Sequence, residues 1–223
     1  MTTHRIIFGD SRSMRELADG SIHLMVTSPP YFNAPFDYKG VFKSYEDYLS
    51  LIRDFASETY RVLAPGRIAV VNTDDMLVDG EKYPLVADTT TIFREAGFRY
   101  RDKIIWRKPE GYIRISRRSG VILQHPYPMY FYPDNIQESI LIFQKGRYEY
   151  PKIKNLESKL DLQEFQKNKW FLTVWDMTNV LPSAKNGNSS YPAAFPAELP
   201  YRIIKLFSNK GEWVLDPFLG SGT

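Results

Sequence analysis

Two short runs of this 223-residue chain combine residue types that could handle a polar, planar substrate. The first is Thr27-Ser28-Pro29-Pro30-Tyr31. It follows Ile22 to Val26, an apolar stretch that reads as a strand, and two successive prolines end that strand because neither can donate to a ladder. The prolines also fix φ and stiffen the turn. A Ser hydroxyl, a Pro carbonyl and an aromatic ring are thereby held in a rigid array. Such an array suits a flat substrate bearing an amino group: the oxygens take its N–H hydrogens and the ring stacks on its plane. The second run is Asp216-Pro217-Phe218-Leu219-Gly220-Ser221-Gly222-Thr223, which follows the strand-like Trp213 to Leu215. Its glycines let a ligand approach the backbone, and its carboxylate and Phe could hold a polar chain and an adenine ring. Taken alone, each run also reads as an ordinary turn, since Ser, Pro and Gly are standard turn residues. Their shared position sets them apart. Both stand at the C-terminal end of a predicted strand, the edge where open α/β sheets bind ligands.

The elements that must position them alternate between strand and helix. Ile6 to Phe8 reads as a short strand, Ser13 to Ala18 as a short helix, and Ile22 to Val26 as the next strand. Apolar residues at Tyr48, Leu51, Ile52, Phe55, Ala56, Thr59, Tyr60 and Leu63 recur at the helical period, so a helix is expected from Tyr45 to Leu63. Ser44 with Asp47 three residues on fits its N-cap. Pro65-Gly66 stops it, and Ile68 to Val71 follows as a buried strand. A second helix is expected from Pro84 to Ala96, ended at Gly97, then a strand at Lys103 to Trp106. The rhythm breaks after Lys108. Residues 109–137 and 146–190 show no usable period, with one strand, Ser139 to Phe143, between them. A helix from Ala197 to Phe207 and the strand Trp213 to Leu215 resume the pattern. The reading is an α/β fold with a mostly parallel sheet, carrying a large loop-rich insertion.

Composition narrows the chemistry. With no Cys and three scattered His, disulfides, thiolate metal sites and a Cys nucleophile are excluded and a metal centre is not expected. The N-terminal residues lack the apolar core of a signal peptide and no apolar run reaches membrane-spanning length, so the cytoplasm is the default compartment. The net charge of +3 hides an asymmetry. Residues 99–118 hold Arg99, Arg101, Lys103, Arg107, Lys108, Arg114, Arg117 and Arg118 against Asp102 and Glu110, a local +6. A basic stretch in an otherwise near-neutral chain suggests a local anionic partner, although a solvated charged face reads equally well on this feature alone. Aromatic residues are plentiful, at 15%; many must be core, but some could stack on nucleobases.

Together these residues resemble the DNA amino-methyltransferases, in the permuted (beta-type) order. In that family S-P-P-Y or D-P-P-Y holds the target base, and D-P-F-x-G-x-G-T binds S-adenosylmethionine. More of the chain agrees. Gly9-Asp10 is similar to the acidic loop near the cofactor adenine, and Leu63-Ala64-Pro65-Gly66 to an L-x-P-G turn. Ile104 to Pro109 is similar to an I-I-W-x-K-P strand, and Glu138 to Lys145 to an E-x-I-L-x-F-x-K strand. Tyr191 to Pro196 is similar to H-P-A-x-F-P, with Tyr191 in place of His. The resemblance implies a Rossmann-like S-adenosylmethionine-dependent methyltransferase fold. Residues 1–108 would be its catalytic α/β part. Residues 109–190 would be a target-recognition insertion containing sheet strand 138–145, and residues 191–223 the cofactor-binding part, incomplete at its end. It assigns Ser28, Pro29, Pro30 and Tyr31 to catalysis. It assigns Asp10, Thr27, Phe195, Pro196, Asp216, Pro217, Phe218, Gly220, Ser221, Gly222 and Thr223 to S-adenosylmethionine, and Arg107, Lys108, Arg114, Arg117 and Arg118 to double-stranded DNA. No metal and no membrane enter.

What the family does with such residues follows physical logic. An exocyclic amine is a poor nucleophile because its lone pair is delocalised into the ring. Hydrogen bonds accepted by Ser28 Oγ and the Pro29 carbonyl favour a pyramidal nitrogen that attacks the sulfonium methyl. The base must first leave the duplex stack, and Tyr31 is expected to stack on it. The resemblance associates S-P-P-Y with cytosine N4, so site-specific cytosine-N4 methylation in a restriction-modification setting is the expectation, with adenine N6 and RNA methylation as alternatives. The last residue, Thr223, falls inside the cofactor motif, where relatives continue with a helix, a strand and an acidic residue. The further expectations are therefore a chain that alone binds S-adenosylmethionine weakly, a fragment or one half of a split enzyme completed by a second chain or dimer partner, or a nucleic-acid-binding module.

Overall fold

The computed structural model describes residues 2–34, 39–109, 120–151, 156–178, 195–220 and 222. Its centre is a six-stranded sheet built from β1 (Ile22–Thr27), β2 (Leu63–Thr73), β5 (Arg99–Arg107), β6 (Gln137–Gln144), β7 (Val174–Asp176) and β8 (Val214–Leu215), in the order β7-β5-β6-β2-β1-β8. β1 pairs parallel with both β2 and β8, and β5 pairs parallel with β7. β6 alone runs the other way, antiparallel to β2 and β5. A small ribbon, β3 (Met76–Val78) with β4 (Glu81–Tyr83), lies apart.

Helices cover both faces, which is why the strands read as continuous apolar runs rather than alternating ones. α1 (Tyr45–Val62) and α2 (Leu85–Glu95) enclose one core, with Met25, Ala69, Val71, Leu141 and Phe143 facing Ile52, Phe55, Ile92 and Phe93. α5 (Glu198–Phe207) closes the other face, where Leu24, Val26, Val70, Ile140 and Ile142 meet Leu199 and Ile203. The α1 start is the reciprocal box expected from its sequence: Asp47 N–H donates to Ser44 Oγ at 3.1 Å and Ser44 N–H to the Asp47 carboxylate at 3.2 Å. β2 begins without a loop after α1. Gly66 has φ +80°, and a Cβ there would lie 2.7 Å from the Arg147 carbonyl oxygen, so the crossing of these two backbones requires glycine.

Two expected elements are absent. Ile6 to Phe8 forms no strand; Phe8 is 97% exposed, and the run has no partner strand among the described residues. Ser13 to Ala18 forms turns rather than a helix. A run of this length cannot repay helix nucleation by itself, and α1 satisfies its backbone instead. Met14 N–H donates to Glu58 at 2.7 Å, while the Arg61 guanidinium donates to the Met14 and Leu17 carbonyls. The stretch with no readable period does contain structure. α3 (Val121–Gln124), a 3-10 turn at Leu156–Ser158 and α4 (Leu162–Lys167) lie within it. β7 extends the main sheet beyond β5, with Trp175 1% exposed on the α5 side.

Candidate active site

The parallel strands end on one edge, and the antiparallel β6 begins there, so residues from five segments converge. β1 lies between β2 and β8, with Leu24 opposite Val214 and Met25 opposite Leu215. The turn after β1 and the turn after β8 are therefore neighbours although 189 residues separate them. Thr27, fully buried, donates its hydroxyl to Asp216 Oδ1 at 2.5 Å, and the Phe218 N–H donates to the same oxygen at 3.0 Å. Burial raises the Asp216 carboxyl above its ordinary range, against the lowering effect of these two donors.

Beyond Asp216, Phe218 packs edge-on against Phe55 of α1 with ring centroids 5.0 Å apart. Gly220 takes φ +54°, and a Cβ there would meet nothing closer than the Phe218 carbonyl at 3.9 Å. The turn thus leaves its outer face open to a ligand. Phe195 and Pro196, both buried, lead into α5, and Phe195 shares a core cluster with Val26, next to Thr27. A carboxylate, an open glycine turn and flanking apolar groups fit a ligand with a polar chain and a flat ring. Thr27, Phe195, Pro196, Asp216, Pro217, Phe218, Gly220 and Gly222 are the residues that could hold it.

On the other side, Ser28 and Pro30 are half-buried and Pro29 is buried. Tyr31 departs from expectation. Its ring is only 5% exposed, in the α1-side core, so it offers little open face for stacking. Its hydroxyl instead donates to Glu138 Oε2 at 2.9 Å, and the Ser28 side chain hydrogen-bonds the same phenol. Burial, then the nearby Glu138 carboxylate, push the phenol well above its ordinary pKa. Glu138 is the hub of this side: Asn72 Nδ2 donates to Oε2 at 2.5 Å, and Lys108 Nζ stands 2.5 Å from Oε1. Asp74, 8% exposed, accepts from Asn135, and burial pushes its carboxyl up to about 6.

Asn72, Asp74 and Glu138 are site residues that sequence reasoning missed. The signal for the first two was present: Asn72-Thr73-Asp74-Asp75 abruptly follows an apolar strand. Glu138 carries no such signal, because only the reversed direction of β6 brings its first turn to this edge.

The remaining expected residues lie elsewhere. Asp10 is tied to Arg12, whose guanidinium holds the carboxyl below its usual range. Arg107 forks onto Asp176 at 2.5 and 2.9 Å, and Lys108 lies over the Trp106 ring as well as against Glu138. Both cations therefore have carboxylate partners, although the Arg107 pair is half exposed and so weakly held. These two residues, with Pro109, Asp176, Met177 and Thr178, line an open groove of about 410 Å³ on the β5–β7 side. Ser221, Thr223, Arg114, Arg117 and Arg118 fall outside the described residues. Among the described residues, no three His, Asp or Glu side chains come together as a metal site, and no helix is long and apolar enough to cross a membrane.

Comparison with known proteins agrees with this geometry. Residues 22–223 match the family model described as DNA methylase, of the N6 and N4 methyltransferases. The chain is 34% identical to the type II methyltransferase M.MthZI of Methanothermobacter thermautotrophicus, over all of this chain and 68% of that protein. It is 31% identical to M.MjaI of Methanocaldococcus jannaschii, over all of this chain and 82% of that protein. A DNA modification methylase of Thermus thermophilus, TTHA0409, solved in complex with S-adenosyl-L-methionine, superposes with a TM-score of 0.71 at 30% identity, covering 96% of this chain and 80% of its own.

Proposed function

The chain belongs to the family of N6 and N4 DNA methylases, and from that premise we propose that it transfers a methyl group from S-adenosyl-L-methionine to cytosine N4 in double-stranded DNA. The setting is that of its type II relatives, a modification enzyme paired with a restriction activity. The observation that carries the reading is the hydrogen bond from Thr27 to Asp216, which joins the two chemistry-bearing turns at adjacent strand ends.

S-adenosyl-L-methionine, when bound, supplies an electrophilic methyl on a sulfonium. The Asp216-to-Gly222 turn, with Phe195 and Pro196, would hold it beside the amine-gripping turn. Ser28 Oγ and the Pro29 carbonyl accept hydrogen bonds from the amine of a base rotated out of the duplex, and the strand end orients it. Methyl transfer moves positive charge onto the amine nitrogen, so fixed acceptors help most as that charge develops. Asp74 and Glu138 lie behind Ser28 and add negative potential there. Tyr31 serves through its hydroxyl rather than through an open ring face. Ser28 is a neutral acceptor, which favours cytosine as the target over adenine. The basic run through Arg114, Arg117 and Arg118 is assigned to the DNA backbone, and Arg107 can exchange Asp176 for phosphate.

Ser28→Ala is expected to lower the methylation rate by about 10²-fold while DNA affinity stays as in wild type. Mass spectrometry of the wild-type product should find N4-methylcytosine. Recovery of N6-methyladenine in its place overturns the cytosine assignment. Unchanged turnover in Ser28→Ala overturns the site.

A further inference from the structure

The Ser28 hydroxyl has one proton and two lone pairs, and the proposed reaction needs the lone pairs. A hydroxyl free to rotate could equally point its proton at the substrate. Three observations bear on which way it points. Glu138 is only 14% exposed at its side chain, and it is gripped from two sides, by Lys108 Nζ at 2.5 Å and by Asn72 Nδ2 at 2.5 Å. A carboxylate held by these donors can only accept, so the Tyr31 hydroxyl, 2.9 Å away, must donate to it. With its proton committed, the Tyr31 oxygen is an acceptor for its other neighbour, and that neighbour is the Ser28 side chain.

We propose that Glu138 is a positioning residue that sets the polarity of the active site. Through Tyr31 it draws the Ser28 proton inward, so that Ser28 Oγ meets the target base with lone pairs alone. This rests on the methyl-transfer reading at Ser28 and deepens it into a specificity rule. A base edge carrying an amine donates into the site and is accepted. A keto edge presents a second acceptor and is rejected, because two acceptors leave a buried polar pair unmet. The rule needs no contact between Glu138 and the base.

The test compares Glu138→Gln, Tyr31→Phe and the double variant, using DNA free of modified bases and labelled S-adenosyl-L-methionine. A glutamine can donate to Tyr31 and so permits the reversed chain, while phenylalanine removes it. Each single variant is expected to lose about tenfold in kcat, the worth of one hydrogen bond, with KM for the methyl donor unchanged. The double variant should lose no more than Tyr31→Phe, since both cut one chain. A second readout needs no turnover. Proton NMR of the wild-type chain should contain a slowly exchanging hydroxyl resonance that Tyr31→Phe removes and Glu138→Gln shifts. A wild-type spectrum without that resonance, or kcat unchanged in both single variants, overturns the proposal. If Ser28→Ala abolishes methylation while neither Tyr31→Phe nor Glu138→Gln affects it, the polarity device fails and the Ser28 reading stands. If Ser28→Ala is fully active, both fall. Should Glu138→Gln fail to fold, Tyr31→Phe, which keeps the buried ring, decides alone.

Discussion

Thr27 has no exposed surface, and its hydroxyl is half of what satisfies the Asp216 oxygen it shares with the Phe218 N–H. Thr27→Val keeps the shape and deletes the donor. The carboxyl then rises further above its ordinary range, because the removed hydrogen bond was lowering it. The expected cost is about 1–3 kcal/mol of stability, read by thermal denaturation, with weaker binding of the methyl donor by calorimetry. Asp74 gives a pH signature of its own. Burial holds its carboxyl at about 6, with Glu138 raising it and Asn135 and Lys82 lowering it. In the unfolded chain the same group ionises near its ordinary value of 3.8. Between these values the folded state binds the extra proton, so stability falls as pH rises from about 4 to about 6. Asp74→Asn should flatten that decline and be relatively more stable at neutral pH, by about 1–3 kcal/mol, as denaturant titrations at a series of pH values would register.

At the scale of elements, the join between α1 and β2 carries the site. α1 ends at Val62 and β2 starts at Leu63, so no loop absorbs the change of direction. The terminal carbonyls of a helix lack intrahelical partners. Here Lys145, just past β6, donates to the Tyr60 and Leu63 carbonyls at 2.5 and 2.8 Å and lies over the Tyr60 ring. Burial lowers the pKa of this ammonium, yet its two carbonyl partners hold it in place. Lys145→Met preserves the stem and removes the donors. A loss of about 1–3 kcal/mol is expected, visible in equilibrium unfolding, with the native far-ultraviolet dichroism retained. Because β2 leads at its far end into Asn72 and Asp74, a larger effect on kcat than on stability would mean that the strand's position, and not only its packing, has moved.

For the molecule as a whole, charge is divided by place. The edge that gathers Asp74, Glu138 and Asp216 is acidic, whereas residues 99–118 carry the local excess of positive charge. Arg107 and Lys108, at the inner end of that run, are paired with Asp176 and Glu138. The phosphate-contacting role proposed for the run thus passes mainly to its outer members. Arg117→Ala together with Arg118→Ala should weaken DNA binding and reduce the slope of log affinity against log salt by about 2, while methyl-donor affinity holds. Fluorescence anisotropy at several salt concentrations measures this, and an unchanged slope would remove these two arginines from the interface.

Periodicity and punctuation alone determined much of this protein: α1 with its Ser44 cap, α2, α5, the five strands β1, β2, β5, β6 and β8, and the pairing of a Ser-Pro-Pro-Tyr turn with an Asp-Pro-Phe turn. These signals are local, since a helical face, a cap or a proline pair acts within a few residues. Tertiary structure alone decided the rest. Ile6 to Phe8 reads as a strand but finds no neighbour to pair with among the described residues, while Val174–Asp176 reads as loop and becomes a strand because β5 offers an edge. Tyr31 reads as a stacking platform and is instead a buried link to Glu138, since β6 runs against its neighbours and brings its first residues to the ligand edge. Strand order and direction are set by contacts between residues far apart in the chain, and no local pattern encodes them.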